Sequence, residues 1–212
     1  MYQLVNIFKK SVFNEAEVIH MNSNWFKILM KATKVRYGKK LLLKGMPVIF
    51  NKSGAELIIG DNVTINSSFL SNLVGLYQRT IIVTRTADAK IRIGHNVGIS
   101  GATIYARKSI QIGDNTLIGG NTKIIDNDFH PIDPIVRRIT PNEHMGVRPI
   151  AIGENVFIGC NCLILKGAKI GDNAVIGAGS VVSGEIPANC VAAGNPVRVI
   201  RHLDMNEVKV TL

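Results

Sequence analysis

The feature that most constrains this fold is a repeat of six residues. From residue 152 the chain reads IGENVF, IGCNCL, ILKGAK, IGDNAV and IGAGSV, and residues 93–124 carry the same pattern with a one-residue slip. A small or β-branched residue, such as Thr103, Thr116 or Cys162, follows each large aliphatic residue four places later. In a helix the apolar positions would recur about every 3.6 residues, and in an ordinary strand they would recur every 2 residues. The aliphatic positions are Ile93, Ile99, Ile112, Ile118, Ile124, Ile152, Ile158, Ile164, Ile170, Ile176 and Val182.

A period of six predicts a short strand followed by a corner. Three such units close a triangular coil of about eighteen residues, and the aliphatic side chains of successive coils then stack roughly 4.8 Å apart. Glycine suits the tight corners, because a residue with a Cβ would be strained there. Because no coil can bury its apolar side alone, the coils have to stack on one another. The sequence therefore predicts an all-β solenoid.

Composition agrees with a solenoid and excludes other classes of protein. The 212 residues include 20 Gly, with 6% aromatic and 19% charged residues, which excludes a disordered chain. No apolar run approaches the ~18 residues of a membrane-spanning helix, and the first residues do not resemble a signal peptide. The three cysteines, Cys160, Cys162 and Cys190, form no disulfide framework. We therefore expect a reduced, cytoplasmic protein.

The chain divides into three predicted parts. Residues 1–34 are expected to form a helical, basic extension, because they do not fit the repeat. Residues 35–203 are expected to form the solenoid, interrupted by an inserted loop over 125–151. Residues 204–212 are expected to form a short tail.

The positive charge is concentrated near the N-terminus. Residues 1–45 hold nine Lys and Arg residues and two acids, in a chain of net charge +10. This segment is either a solvated basic face or a patch for an anionic membrane surface or a phosphate-bearing substrate. Nucleic acid is not expected, because no aromatic platform interleaves the basic residues.

Apolar residues in the extension follow a helical spacing. Leu4, Phe8 and Val12 are four residues apart, and Trp25, Ile28 and Leu29 continue the same face. We expect this face to pack against the end of the solenoid. A helix lying on a membrane surface is the alternative.

The interruption between Ile124 and Ile152 is the candidate catalytic segment. It contains four prolines and two of the five histidines, and it begins with Asp126-Asn-Asp-Phe-His130-Pro. A long excursion from a regular solenoid usually serves function. A neutral imidazole at His130 suits a general base, and Asp126, Asp128, Glu143 or a backbone carbonyl could orient it. A second excursion over 66–92 could shape an acceptor pocket.

The repeats, together with the DFHP segment and the run from IGENVFIG to NPVRVIR, resemble hexapeptide-repeat acyltransferases. Within them, the likeness is to sugar O-acetyltransferases of the galactoside and maltose acetyltransferase type. This resemblance implies a left-handed parallel β-helix and a homotrimer in which acetyl-coenzyme A lies in a groove between neighbouring subunits. It also implies that His130 is the general base.

The resemblance implies roles for six further residues. Phe157 takes the position of an aromatic residue, commonly Trp, that flanks the catalytic cleft, and Cys160 takes that of a residue contacting the acyl end. Ala178 and Ser183 would lie along the pantetheine. Arg198 and Arg201 would meet the phosphates of the coenzyme, and arginine also suits bidentate phosphate contacts on general grounds.

The predicted function is therefore transfer of an acetyl group from acetyl-coenzyme A to a hydroxyl of a sugar or surface-glycan precursor, without a metal. The alternatives are N-acetylation of a nucleotide-linked amino sugar, a zinc enzyme with three histidine ligands at a subunit interface, or a non-catalytic scaffold. The histidine spacing disfavours zinc, and core packing explains Cys162.

Overall fold

The computed structural model describes residues 26–205. Residues 26–32 form helix α1, Pro134–Ile139 form helix α2, and Phe69–Ser71 form one turn of 3-10 helix. The strands, in chain order, are β1 (Arg36–Tyr37), β2 (Leu42–Lys44), β3 (Val48–Asn51), β4 (Glu56–Ile59), β5 (Thr64–Asn66), β6 (Ile81–Thr84), β7 (Lys90–Ile93), β8 (Gly98–Ser100), β9 (Thr103–Ala106), β10 (Ser109–Ile112), β11 (Leu117–Ile118), β12 (Lys123–Ile125), β13 (Ile150–Ile152), β14 (Phe157–Ile158), β15 (Leu163–Leu165), β16 (Lys169–Ile170), β17 (Val175–Ile176), β18 (Val181–Val182), β19 (Glu185–Ile186), β20 (Cys190–Ala193) and β21 (Arg198–His202).

Each strand pairs with the strand three places later, so every coil adds one strand to each of three sheets. We call these the first face (β1-β4-β7-β10-β13-β16-β19), the second face (β2-β5-β8-β11-β14-β17-β20-β21) and the third face (β3-β6-β9-β12-β15-β18). Pairing is parallel throughout, except that β21 folds back antiparallel on β20. The predicted left-handed parallel β-helix is confirmed.

The core is a set of aliphatic stacks in register between coils. On the second face Ile118 pairs with Ile158, and Ile158 pairs with Ile176. The third face stacks Ile164 on Ile124 in the same way. All eleven aliphatic positions predicted from the repeat are buried. Their burial confirms that the six-residue period reports the inward side of the coils.

The slip in the repeat has a local structural cause. Thr103 was predicted to be an inward small residue, but it is half-buried on the outer side of β9, and Ala102 takes the inward position. Ile104, rather than a residue six places after Ile99, is the next buried aliphatic residue and pairs with Ile124. This corner is therefore one residue shorter than the repeat predicts, and the next corner, between Ile104 and Ile112, is two residues longer, which produces the net slip of one residue.

Asparagine occupies the same corner in successive coils. Asn62, Asn96 and Asn115 adopt φ angles of 57°, 56° and 57°, a left-handed conformation that Asn tolerates better than other residues with a side chain. Their side-chain amides also form a ladder, because Asn62 Nδ2 donates to Asn96 Oδ1 at 2.8 Å and Asn96 Nδ2 donates to Asn115 Oδ1 at 3.0 Å. The corner is thereby held in register from coil to coil.

The three faces differ on their outer sides. The first face is charged: Arg36 and Arg92 both pair with Glu56, and Lys169 pairs with Glu185. The second and third faces instead expose large apolar side chains. Examples are Phe50, Leu117, Phe157 and Leu163.

Part of the predicted N-terminal packing is wrong. Ile28 and Leu29 are 66% and 44% exposed, and Met30, at 1%, is the helical residue that fills the end of the core. In an α-helix only one stripe can face the solenoid, and here that stripe runs through Phe26 and Met30. Leu4, Phe8, Val12 and Trp25 lie outside the described residues. The predicted extension, solenoid and tail boundaries stay predictions.

We expect Ile170→Ala to destabilise the fold, because it removes a fully buried side chain stacked between coils. Large-to-small core substitutions of this kind cost about 2–5 kcal/mol. The measurement is the urea midpoint of unfolding followed by circular dichroism. Lys169→Ala is the matched control, because Lys169 neighbours Ile170 on β16 but points outward into a surface ion pair. An Ile170→Ala midpoint equal to that of Lys169→Ala would contradict the stacked core.

Candidate active site

The loop between β12 and β13 begins on a buried carboxylate. Asp126 is fully buried, and its two oxygens accept hydrogen bonds from the backbone N–H groups of Arg107, Lys108 and Ser109 at 2.7 to 2.9 Å. Three backbone donors satisfy the charge of a carboxylate that burial would otherwise penalise. The start of the loop is therefore fastened to the preceding coil.

A second set of contacts joins the two ends of the loop. The Asp128 N–H donates to the Gly146 carbonyl at 3.0 Å, and the Arg148 N–H donates to the Asp126 carbonyl at 2.9 Å. The Asp128 carboxylate also pairs with Lys166 Nζ, which follows β15 in the next coil, at 2.8 Å. A Cβ on Gly146 would lie 2.5 Å from Asp128 Oδ2, so a larger residue there would displace the Asp128 carboxylate. The two ends of the loop are therefore held together where it leaves and re-enters the solenoid, and we call this junction the neck.

Beyond the neck, helix α2 turns the chain back towards His130. The Asp133 carboxylate caps the helix by accepting from the Ile135 and Val136 N–H groups at 2.8 and 2.9 Å. Proline at the first helical position suits this start. The helix ends at Ile139, and Pro141 follows two residues later.

His130 is exposed and its ring is oriented from one side. His130 Nδ1 lies 2.7 Å from the Pro141 carbonyl oxygen. Because a carbonyl can only accept, Nδ1 carries the proton in this contact, and Nε2 of the neutral ring is left with its lone pair. The arrangement presents a free basic nitrogen to solvent.

The backbone before His130 is also fixed. Phe129 adopts a φ of 62°, and its N–H donates to Asn127 Oδ1 at 2.9 Å. The Phe129 ring packs on Tyr105 of the third face, with ring centroids 5.0 Å apart. These contacts set the direction in which the His130 side chain leaves the loop.

None of the three predicted acids orients the His130 ring. Asp126 and Asp128 are occupied by backbone amides and by Lys166. Glu143 lies near His144 instead, at 3.8 Å, and both side chains are mostly exposed. The backbone carbonyl, the remaining alternative from the sequence, takes the role through Pro141.

Three of the other predicted site residues lie together on the second face and the corner that follows it. Phe157 points outward from β14, is 49% exposed, and pairs with Leu117 and Val175 of the adjacent coils. Cys160 and Ala178 occupy equivalent corners one coil apart, where the second face turns into the third. Cys160 is half-buried and Ala178 is exposed.

The coils approach one another closely along this corner. A Cβ on Gly159 would lie 2.5 Å from the Ala178 nitrogen, and one on Gly119 would lie 2.7 Å from the Cys160 nitrogen. Glycine is therefore needed for the coils to stack this closely. The result is a line of small residues along the corner between the second and third faces.

Ser183, Arg198 and Arg201 lie in two different places. Arg198 and Arg201 are exposed on β21, which pairs with β20 at the end of the second face. Ser183 is exposed after β18, at the corner between the third and first faces. It therefore shares a corner with the His130 loop rather than with Ala178.

Within one chain, the predicted residues thus form two groups on opposite sides of the third face. His130 and Ser183 belong to one corner, and Phe157, Cys160, Ala178 and the two arginines belong to the other. Ala178 precedes β18 and Ser183 follows it, so the two corners lie at opposite ends of one strand of the third face. Over residues 26–205, the side-chain hydrogen bond of His130 is the one to Pro141, and none joins it to the Ala178 corner.

Over residues 26–205, no three His, Cys, Asp or Glu side chains come together in a way that could hold a metal ion. In the same range, none of the helices has the length and apolar character needed to cross a bilayer.

Comparison with known proteins shows what the repeat is similar to. Residues 149–184 match the family model described as bacterial transferase hexapeptide (six repeats). Galactoside O-acetyltransferase from Escherichia coli K12 is 44% identical over 117 residues, which cover 55% of this chain and 56% of that enzyme. The resemblance to hexapeptide-repeat acetyltransferases that the sequence predicted is confirmed, and the family model covers the part of the solenoid from β13 to β18.

Solved structures of two acyltransferases show the same fold. A galactoside acetyltransferase in complex with coenzyme A is 35% identical, with a TM-score of 0.50, over 67% of this chain and 64% of that one. AntD from Bacillus cereus, an N-acyltransferase in complex with dTDP and 3-hydroxybutyryl-CoA, has a TM-score of 0.65 at 22% identity, over 85% of this chain and 89% of that one. The chain spans less than two thirds of the length of either galactoside enzyme.

Two features of the candidate site were not found from the sequence. The Pro141 carbonyl is a backbone group eleven residues from His130, and no side-chain pattern reports it. The buried amide contacts of Asp126 were also missed. An acidic residue two positions after the inward Ile124, on the same side of the strand, was the available signal.

We predict that Cys160 is the most reactive cysteine of the folded protein. Cys162 and Cys190 are buried, and burial raises the pKa of both thiols, which lowers the fraction of reactive thiolate. Iodoacetamide should therefore modify Cys160 first, as measured by mass spectrometry of the peptides. If the Ala178 corner binds coenzyme, acetyl-coenzyme A will slow that reaction. Equal labelling of Cys160 and Cys162 in the native protein would contradict the placement.

Proposed function

We propose that this protein is an acetyl-coenzyme A-dependent O-acetyltransferase that acts on a hydroxyl of a sugar or surface-glycan precursor. The observation that carries the proposal is the His130 imidazole, held at Nδ1 by the Pro141 carbonyl at 2.7 Å with Nε2 free. The relationship to galactoside O-acetyltransferase supports the same chemistry.

His130 Nε2 would act as the general base. It takes the proton from the acceptor hydroxyl while the hydroxyl oxygen attacks the carbonyl carbon of the acetyl thioester. The new carbon–oxygen bond forms, the carbon–sulfur bond breaks, and the proton passes to the departing coenzyme thiolate. The Pro141 carbonyl stabilises the imidazolium formed in between, since it still accepts from Nδ1–H.

The Ala178 corner is the proposed site of the coenzyme. Its main-chain groups fit the amides of pantetheine, and Phe157 offers an apolar wall near the acyl end. Arg198 and Arg201 extend this line at the end of the second face, where guanidinium groups suit the phosphates of the coenzyme. Ser183 is proposed to contact ligand from the His130 side of the third face.

Two observations support assembly into a trimer. His130 and the Ala178 corner lie on opposite sides of the third face, so a complete site needs His130 from one copy and the corner from another. The outer sides of the second and third faces are apolar, whereas the first face is charged. Apolar faces of this kind are the ones that a closed cyclic assembly buries.

We expect His130→Ala to lower kcat by roughly 10²–10⁴-fold, because proton removal from the acceptor is lost. Coenzyme affinity should stay near the wild-type value, because the Ala178 corner is untouched. The measurements are thiol release from acetyl-coenzyme A in the presence of acceptor, and coenzyme titration by calorimetry.

His144→Ala is the matched control for this variant. His144 lies in the same loop, is exposed, and contacts Glu143 rather than Pro141. It should keep wild-type kcat. A His130→Ala variant as active as His144→Ala would refute the general-base assignment.

A mixing experiment tests the shared site. His130→Ala and Ala178→Trp should each be inactive, the second because a bulky side chain blocks the corner. Trimers re-formed from an equal mixture should regain activity at roughly a quarter of their interfaces, where an intact histidine meets an intact corner. Light scattering checks that each variant is trimeric. No recovery from properly mixed trimers would mean that each chain holds a complete site of its own.

The acceptor atom is tested with a panel of neutral sugars, amino sugars and nucleotide-linked amino sugars, each analysed by mass spectrometry for the site of acetylation. Transfer to hydroxyl groups supports the proposal. Transfer confined to amino groups would make the protein an N-acetyltransferase. Absence of any transfer or thioester hydrolysis would favour the non-catalytic scaffold.

A further inference from the structure

The third face is bordered by two excursions of the chain. Residues 67–80, which we call the 67–80 loop, lie between β5 and β6 at the corner of the second and third faces. The loop that carries His130 leaves the opposite corner of the same face, after β12. The outer surface of β9 and β12 therefore forms the floor between the two loops.

The 67–80 loop is fastened at this place by buried polar contacts. Asn121, only 5% exposed, donates from Nδ2 to the Gly75 carbonyl at 2.9 Å and accepts from the Tyr77 N–H at 3.2 Å. Gln78 Nε2 donates to the Gly101 carbonyl at 2.8 Å and to Thr103 Oγ1 at 3.0 Å. Tyr77 thus stands between two anchors, although its own side chain is 68% exposed.

Leu76 supplies an apolar anchor for the same loop. It is 3% exposed, and its Cδ2 would lie 3.1 Å from a Cβ added to either Gly101 or Gly120. The two glycines therefore leave the space in which the loop packs. The position of Tyr77 is set by the solenoid itself.

Lys123 is the cation on the floor. It points outward from β12 and is half-buried, with its Nζ 5.8 Å from the centroid of the Tyr77 ring. Its strand neighbours are Thr103 and Leu163, both uncharged. Among residues 26–205 it forms no ion pair with a carboxylate. A partly desolvated ammonium group that faces an aromatic ring and apolar neighbours is an attractive place for an anion.

This pair shares the third face with a residue that supports the His130 loop. Tyr105, whose ring contacts Phe129 next to His130, pairs with Ile125, two residues after Lys123 on the same strand. Adjacent strands are about 4.8 Å apart and residues two apart on one strand about 6.6 Å apart, so the Cα atoms of Lys123 and Tyr105 are roughly 8 Å apart. A sugar bound between the loops can span this distance.

We propose that Lys123 and Tyr77 form a subsite for an anionic group carried by the sugar acceptor, either a phosphate or a carboxylate. The proposal rests on the proposed acetyltransferase function and names the class of its acceptor. Lys123 Nζ donates to the anionic oxygens, and the Tyr77 ring packs against the face of the sugar. The acceptor class is then an acidic or phosphorylated sugar rather than a neutral glycoside.

The test compares three acceptors: methyl β-galactoside, galactose 1-phosphate and methyl galacturonide. For the anionic acceptors, Lys123→Gln should raise KM by about ten- to a hundredfold with kcat nearly unchanged, the range expected for loss of a charge-assisted hydrogen bond. KM for the neutral galactoside should not move. The phosphate and carboxylate arms show which anion the subsite prefers.

Matched variants separate this role from general electrostatics and from folding. Lys90→Gln removes an exposed lysine from the first face and should leave every KM unchanged. Tyr77→Ala should weaken binding of the anionic sugars, whereas Tyr77→Phe, which keeps the ring, should restore it. Lys90→Gln effects equal to those of Lys123→Gln would overturn the proposal.

A binding measurement keeps the test independent of turnover. Calorimetric titration of galactose 1-phosphate and methyl galacturonide into the wild type and into Lys123→Gln should show tighter binding of at least one of them to the wild type. Affinities that are equal in the wild type and in Lys123→Gln, for both ligands, would overturn the subsite even if acetyl transfer proceeds.

Two other outcomes are distinguishable. Loss of trimers in Lys123→Gln, with unchanged affinity, would instead assign Lys123 to pairing with a second copy. A wild type that binds these sugars but transfers no acetyl group would refute the proposed function and retain the subsite.

Discussion

The stacking of aliphatic side chains between coils is the interaction on which the rest of the molecule depends. Each inward isoleucine lies over its counterpart in the next coil, and the parallel hydrogen bonds keep that register. Because side chains alternate across a strand, the same register fixes which residues face outward. The positions of Phe157, Lys123 and the glycine corners follow from the core rather than from contacts of their own.

The faces of a regular solenoid are flat, whereas a catalytic site needs side chains that project from the surface. In this chain two loops leave the solenoid at its corners, and buried polar groups hold the base of each loop. Asp126 holds the His130 loop by accepting from three backbone N–H groups, and Asn121 holds the 67–80 loop by accepting from one backbone N–H group and donating to one backbone carbonyl. Because both anchors belong to the rigid coils, the coils fix the positions of the loop residues.

The sequence predicted most of the solenoid and less of the site. Repeats report burial directly, which is why the buried aliphatic positions were correct, and the error at Thr103 arose where one corner loses a residue. His130 could be selected because it begins an interruption of the period. Its partner Pro141 could not, because a backbone carbonyl has no sequence signature and its position depends on the path of helix α2. Ile28 and Leu29 were misplaced because the spacing of apolar residues does not say which stripe of a helix meets the core.

The separation of the two groups of site residues links the shape of one chain to its chemistry. The third face lies between His130 and the Ala178 corner. The width of this face equals the length of one strand, and the stacked aliphatic side chains fix that length. The neck of the His130 loop is tied to Lys166 and to the preceding coil, which holds the loop at its own corner of the third face. In the proposed reaction a second copy would supply the coenzyme corner, and the apolar outer sides of the second and third faces are the surfaces proposed to bind that copy. The outward apolar residues that a monomer leaves exposed to water would then be buried in the proposed assembly, which would complete the site.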